Sequence, residues 1–285
     1  MIVVAMFILI AIFAPLLAPF NPVQQFPNNS YRVPSWVQTN SPANQPSPDH
    51  LLGTDGSGRD VLSRLIYAAR VSMIVGLIPT TIILLIGVPL GLLAGFAGGW
   101  VDNLLMRITD IVYAFPDLLF IISVSVALRE TWLGQQFNGL LLIFIALAIT
   151  SWTNMARLVR GQVLSLKQKE FVEAARAIGV PTWKIMLRHL LPNTLAPVIV
   201  SASFAIPGAI LSESALTFLG AGMRPSIDPD NPFPTSWGAM IQEGLLNLNA
   251  NPWMMFFPVV CVALVMLAFT FIGDGLRDAL DPRDQ

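Results

Sequence analysis

Long apolar runs alternate with polar stretches along the whole chain. A bilayer's hydrocarbon core takes about 20 mostly apolar residues of helix. Six stretches reach that length: 1–20, 71–97, 104–127, 138–158, 194–219 and 252–273. The third is interrupted by Arg107, Asp110 and Asp117. No alternating strand pattern of the kind a membrane barrel needs is present, so each stretch is predicted as a spanning helix. The start, "MIVVAMFILIAIFAPLLAPF", has no basic lead and no small-x-small cleavage site, and reads as a retained helix rather than a signal peptide. Whether a cytoplasmic lead precedes it stays open.

The polar stretches differ in kind. Residues 21–58 are rich in Pro, Asn and Ser and read as an extended, irregular segment. The link around "AGGW" is short. A second polar segment, "GMRPSIDPDNPFPTSWGAMIQEG", separates the last two apolar runs. The stretch "FVEAARAIGVPTWKIMLRHLLPN", residues 171–193, keeps a helical rhythm. Phe171, Ala174, Ala175 and Ile178 fall at i, i+3, i+4 and i+7, one apolar stripe. Glu173 and Arg176 lie three apart on the polar side, where they can pair weakly. Gly179 suits the left-handed position that closes a helix, and Pro181 prevents its continuation. Trp183, Met186, Leu187 and Leu190 form a second stripe, flanked by Lys184 and Arg188, and Pro192 marks entry to the next span. Two readings fit such a helix–Gly–helix. Basic amphipathic helices lie on membrane surfaces, and exposed apolar stripes edged by charge meet protein partners. Ala174 and Ala175 favour docking, because small side chains allow close approach.

Composition narrows the class. Hydrophobic residues make up 54% of the 285 and charged residues 12%, about half the charged share of a soluble domain. The net charge of −1 leaves no broad basic face for nucleic acid. The single cysteine, Cys261, rules out an internal disulfide or a cysteine metal cluster. All three lysines fall on the side of the 161–193 segment, whereas Arg32, Arg59, Arg64, Arg70, Arg129 and Arg224 fall on the other. The lysine-rich side is the cytoplasmic one by the positive-inside rule, which places both termini there. Arg59, Arg64 and Arg70 run against that rule, although Asp55 and Asp60 lie close by. No G-x-x-x-x-G-K-[ST] phosphate loop occurs, and "GTDGSGRD" lacks its lysine. His50 near Asp49, Asp55 and Asp60 reads as part of a polar loop rather than a metal site. No nucleophile–base set or carboxylate pair stands out, so no catalytic residues and no metal ligands are assigned.

"EAARAIGVPTWKIMLRHLLP" resembles the signature loop of ABC-importer permeases: E-A-A, three residues, G, nine residues, I-x-L-P. Glu173, Ala174, Ala175, Gly179, Leu191 and Pro192 fall in register, and His189 stands where the pattern has isoleucine. "HLLGTDGSGRDVLSRLIYAARVSMIVG", "AGFAGGWVDNLLMRITDIVYAFPDLLF", "ESALTFLGAG" and "FIGDGLRDALDPR" are similar to the dipeptide, oligopeptide and nickel importer group, in its C-type permease subunit. The resemblance implies an all-α membrane protein with six transmembrane helices, the last five forming a type I ABC importer (MetI-like) core. Its divisions would be a first helix at 1–20, an extracytoplasmic segment at 21–70, a permease core at 71–275 with a cytoplasmic coupling loop at 161–193, and a tail at 276–285. It also implies the setting of the bacterial or archaeal inner membrane. The partners would be a second permease, two cytoplasmic ABC ATPase chains holding ATP and Mg²⁺, and an extracytoplasmic substrate-binding protein. This chain would bind no cofactor itself. Within the loop, the resemblance assigns Phe171, Glu173, Ala174, Ala175, Arg176, Gly179, Trp183 and Pro192 to ATPase coupling. The substrate would be a dipeptide, a longer peptide, a nickel chelate or a sugar, with peptides preferred.

Ionisable residues inside spans are costly and default to functional hypotheses. Arg107 and Asp110 read as a structural ion pair, and Asp117, after Pro116, as either a kink-associated acceptor or a pathway residue. In the fifth span, Ser201, Ser203, Pro207, Ser212 and Glu213 read as close-packing and bend residues on their own. In the resembled fold they become candidates for the pathway wall and gate. Two other classes stay open on the residues alone: a secondary transporter driven by an ion gradient, and a membrane scaffold without transport. The first expects inverted repeats, and no internal repeat is evident.

Overall fold

A computed structural model describes residues 1–39, 41 and 44–280. Apart from an isolated antiparallel bridge between Thr54 and Asp60, its regular structure is helical. In chain order the helices are α1 (Ile2–Ile12), α2 (Ala14–Leu17), α3 (Val61–Ala97), α4 (Gly99–Tyr113), α5 (Asp117–Ala127), α6 (Trp132–Gln135), α7 (Leu140–Leu166), α8 (Glu170–Ala177), α9 (Thr182–Ile185), α10 (Leu191–Phe218), α11 (Trp237–Leu246) and α12 (Trp253–Leu280). Among the described residues, four runs are long and apolar enough to cross a membrane: Val61–Ala97, Trp132–Leu166, Thr182–Phe218 and Trp253–Leu280. The pair α4–α5, bent by 76°, makes up to a fifth. The expected six spans therefore correspond to four long helices, one bent pair and α1, which at 11 residues is shorter than a span.

Prolines explain both departures. Pro15 has no N–H for the carbonyl of Ala11, four residues back, so the first apolar run breaks after Ile12. The freed carbonyls find another donor: Arg70 Nε donates to Ala11 O at 3.0 Å and its Nη2 to Ile12 O at 3.4 Å. Pro116 acts likewise between α4 and α5. It cannot serve the Val112 carbonyl, which accepts from the Phe115 N–H instead at 3.3 Å.

The chain divides into two compact units. One comprises Met1–Gly76, Ile122–Ile143 and Pro207–Ala268; the other comprises Leu77–Ile121, Phe144–Ile206 and the stretch from Phe269. The long helices contribute residues to both. Residues 281–285 of the expected tail, including Arg283, lie outside the described residues.

The first unit contains the irregular segment, and buried polar groups order it. The Asp55 side chain, 1% exposed, accepts from Arg59 Nε at 2.7 Å and from Arg64 Nη1 at 2.5 Å. Arg64 also grips Glu243 on α11 with two bonds of 2.6 and 2.9 Å. His50 is buried between the rings of Phe20 and Phe26, with Nδ1 3.0 Å from Asp60 Oδ1. Trp237, fully buried at the start of α11, donates from Nε1 to Leu65 O at 3.2 Å and meets the Phe7 ring edge-on. Thus the three arginines that run against the charge rule serve a fixed ion network and the end of α1.

The second unit is built on close helix contact. Gly87, Gly91 and Gly95 recur every fourth residue along one face of α3 and lie against Met155, Val159 and Val163 of α7. A Cβ on Gly91 would stand 2.5 Å from the Ala156 carbonyl oxygen, so only glycine lets the two backbones approach this closely. Asp102 on α4 and Arg160 on α7 close the contact with a two-pronged pair at 2.5 and 2.7 Å. Asp110 accepts from Arg157 Nη2 at 2.7 Å, and the same guanidinium lies 4.2 Å over the Tyr113 ring. Its partner is therefore on α7, not the expected Arg107 three residues away. A neighbour on another helix can meet the carboxylate directly, whereas Arg107 points to the exposed side of α4.

Candidate functional site: the helix pair at 170–190

The segment 161–193 is more helical than its sequence suggests. α7 continues to Leu166, and Lys167 Nζ donates to Gly95 O at 2.8 Å, tying the end of α7 to α3. α8 starts after Lys169, with Glu170 and Glu173 in its first turn, where the helix dipole favours negative charge, and Arg176 in its last. Gly179 then takes φ +78°, a left-handed conformation that favours glycine. Its N–H donates to Arg176 O and the Val180 N–H to Ala175 O, both at 3.0 Å. These crossed bonds, with Val180 packed against the core that includes Ala175, form the glycine-closed helix end of the Schellman type.

Pro181 precedes α9, and α9 does not end in a loop. It passes through a widened turn, Met186–Leu190, directly into α10, so residues Thr182–Phe218 form one run of 37 residues. The Leu191 N–H reaches back five residues to Met186 O. This widening sits just ahead of Pro192, whose missing N–H and ring exclude the ordinary bond to the Arg188 carbonyl. Asn193 Nδ2 donates to the next carbonyl, His189 O, at 2.6 Å.

The pair carries two apolar faces. Val172, Ala175, Ile185 and Leu190 are buried in a core with Ile83, Leu92, Met155, Val159, Val163 and Val198. Opposite them, Ile178 is 80% exposed, Trp183 57%, Leu187 52% and Phe171 40%, with Ala174 also exposed. The single stripes read from the sequence are thus split. Ala175 and Leu190 turn inward, while Phe171, Ala174, Ile178, Trp183 and Leu187 turn outward. Glu173 and Arg176 do not form an ion pair among the described residues. Arg176 instead lies 5.1 Å over the Phe96 ring at the end of α3, and Lys184 lies 5.5 Å over Trp183. The outward face is a pad of four large apolar side chains with charge at its edges, set on a core that holds its shape.

Comparison with known proteins identifies the setting of this pad. Residues 87–283 match the family described as "Binding-protein-dependent transport system inner membrane component". The chain belongs to that family. Residues 1–45 of this family member match a second model, the N-terminal TM domain of oligopeptide transport permease C. It is similar to the oligopeptide transport system permease protein OppC of Bacillus subtilis, 39% identical over 99% of this chain and 84% of that protein. To OppC of Escherichia coli it is 40% identical over 100% of this chain and 86% of that one. To the dipeptide transport system permease protein DppC of Bacillus subtilis it is 41% identical, over 96% and 77% respectively. Among solved structures, its fold resembles that in inward-facing conformations of the MetNI methionine ABC transporter, with a TM-score of 0.59. That match has 18% identity and covers 76% of this chain and 96% of that one. The chain is accordingly an all-helical, multi-pass membrane protein of the ABC-importer permease class.

The other candidate residues are distributed over both units. Asp117 is exposed in the first turn of α5, and Ser201 and Ser203 belong to the second unit. Pro207, Ser212 and Glu213 belong to the first. Ser203 is buried and donates to Val200 O at 2.7 Å; Ser201 and Ser212 are half-buried. Glu213 is fully buried and accepts from Thr217 Oγ1, one turn on, at 2.7 Å. Among the described residues, no group of three or more His, Cys, Asp or Glu side chains is arranged to hold a metal ion. Val172 and Ile185, which seat the pad, were not singled out in the sequence. Their signal was there: Val172 and Ala175, three apart, mark a second apolar edge. The glycine stripe in "GVPLGLLAG" was equally readable as a close helix contact.

Proposed function

We propose that this chain is one transmembrane subunit of an ATP-driven importer for dipeptides or oligopeptides. It would pair with a second permease, receive substrate from an extracytoplasmic binding protein, and seat a cytoplasmic ATPase on the pad at 170–190. In this reading the pad side of the membrane is cytoplasmic, as are both termini, and the segment 21–70 faces outward. ATP and Mg²⁺ are handled by the two ATPase chains, and this chain contributes motion only. Similarity to peptide-system permeases along nearly the entire chain supports the substrate class.

One observation carries the coupling: the pad residue Trp183 lies in the same uninterrupted helical run as α10. A displacement imposed on α9 is passed to a membrane-crossing helix without an intervening loop. Phe171, Glu173, Ala174, Arg176 and Trp183 meet the ATPase, with Ala174 allowing close approach. Ala175 seats the pad, Gly179 sets the angle between α8 and α9, and Pro192 shapes the widened turn that joins pad to span. Exposed Asp117 and half-buried Ser201 and Ser212 line the pathway, while buried Ser203, Pro207 and Glu213 shape the helix behind it. ATP drives transport only if it favours one conformation of the assembly over another, and the pad is where that preference is delivered.

The test is Gly179→Pro. Proline cannot take φ near +78° and removes the N–H given to Arg176. Substrate-stimulated ATP hydrolysis by the reconstituted assembly should be abolished, with the chain still present in the membrane. ATP-dependent uptake at the wild-type rate would overturn the coupling role, and uptake that follows an ion gradient instead would favour a secondary transporter.

A further inference from the structure

A small cleft in the first unit lies at the ends of α7 and α10 that are remote in sequence from the pad. It is lined by Ser125, Arg129, Gly134, Gly139, Gly222 and Arg224, with apolar neighbours and no acidic side chain. The Ser125 hydroxyl is buried and has no hydrogen-bond partner among the described residues. A buried polar group in that state marks either a cost to the fold or a place for a ligand atom. Arg129 forms no ion pair among the described residues. Arg224 donates from Nη2 to Glu130 Oε1 at 2.9 Å, but that glutamate is 80% exposed, so the pair is weak and open to exchange.

The frame around these donors is built rather than loose. The Arg224 N–H donates to Asn138 O at 2.9 Å, and Asn138 Nδ2 donates to Phe233 O at 3.0 Å. Gly134 presses against the carbonyls of Leu128 and Arg129 so closely that a Cβ would collide with both. The cleft is therefore lined by two arginines and one unpartnered hydroxyl, all able to donate hydrogen bonds, on a fixed support. That set matches an oxyanion with two oxygens in a plane, which a guanidinium binds through paired N–H bonds.

We propose that this cleft receives the C-terminal carboxylate of a peptide as it leaves the binding protein. The inference rests on the peptide-importer reading above. Glu130 then acts as a competing carboxylate that the substrate displaces from Arg224. A headgroup phosphate from an anionic lipid shares the chemistry and is the alternative source.

The experiment measures uptake of one peptide as its free acid and as its C-terminal amide, in vesicles reconstituted with the full assembly and an unchanged binding protein. Selection by the binding protein is common to all variants, so it cancels when acid-to-amide ratios are compared between variants. Arg129→Gln should lower the ratio about tenfold, as expected for losing one charge-assisted contact, while amide uptake persists. Ser125→Ala, a smaller change, should lower it less, and Glu130→Gln should raise it. An equal fall for both peptides in Arg129→Gln and in Ser125→Ala would overturn the site. So would dependence on Arg129 that appears only in vesicles containing anionic phospholipid and is the same for acid and amide. Failure of the wild-type assembly to carry either peptide would overturn the peptide-importer reading, and this inference with it.

Discussion

The helix pair at 170–190 and the irregular segment at 18–60 hold their shapes by opposite means. The helix pair has little polar chemistry inside. Val172, Ala175, Ile185 and Leu190 pack into an apolar core, and its charged side chains lie at the edges of an exposed pad. Among its described residues the irregular segment has almost no regular structure, yet it closes over buried polar groups: Asp55, Arg64, Asp60 and His50 are each no more than 2% exposed. Apolar packing with one face left open suits a surface that must meet and leave a partner. A buried, directional ion network suits a part that must keep a single arrangement, because each ion constrains the position of the others. Irregular backbone in this chain is thus ordered by buried ion pairs, while the regular helix pair leaves an apolar face exposed.

The largest effect is expected at Arg64. Arg64→Met leaves Asp55 and Glu243 to Arg59 alone, and unpairing a buried ion costs about 3–5 kcal/mol. The purified assembly should lose thermal stability by that order, read from the midpoint of unfolding. An unchanged midpoint would mean the segment is held by something other than its ions. A second variant, Gly91→Val, tests the core under the pad. Its Cβ would meet the Ala156 carbonyl 2.5 Å away and push α3 from α7, at a cost of about 1–3 kcal/mol. ATP hydrolysis should become less responsive to substrate even though no pad residue has changed. Trp183→Ala sharpens the contrast from the other side. Its side chain is already 57% exposed. The folded chain should therefore lose little stability, while affinity for the ATPase falls by about 1.4 kcal/mol, roughly tenfold in Kd. Titration of the ATPase onto the reconstituted permease, set beside the melting curve, separates the two effects.

Particular residues explain how much of this was legible in the sequence. Gly179 and Pro181 announced the break between two short helices, because positive φ and a fixed φ leave few alternatives. The family motif marked the 171–193 segment, in which Phe171, Ala174 and Trp183 face outward. What the periodicity could not show was that a short helix can be apolar on two sides. Ala175 and Leu190 belong to the inner side because α3 and α7 come close enough to cover them, and that approach depends on Gly87, Gly91 and Gly95, 80 to 103 residues earlier. The ion partners were hidden for the same reason. Arg64 meets Glu243, 179 residues away, and Asp110 meets Arg157, 47 away, while sequence spacing offers only near neighbours. Pro15 was visible in the first apolar run, but the consequence of its missing N–H became clear only with Arg70 bound to the freed carbonyl of Ala11.

The proposed role of the outward face of the helix pair is to seat an ATPase. Ile178, 80% exposed at the closed end of α8, is the position from which to ask. A photo-reactive side chain introduced there, in the complete assembly in native membranes, should give one dominant product after illumination: this chain joined to an ATPase subunit, identified by peptide mass. Products joined only to lipid would contradict the claim and make the pad a membrane-surface element.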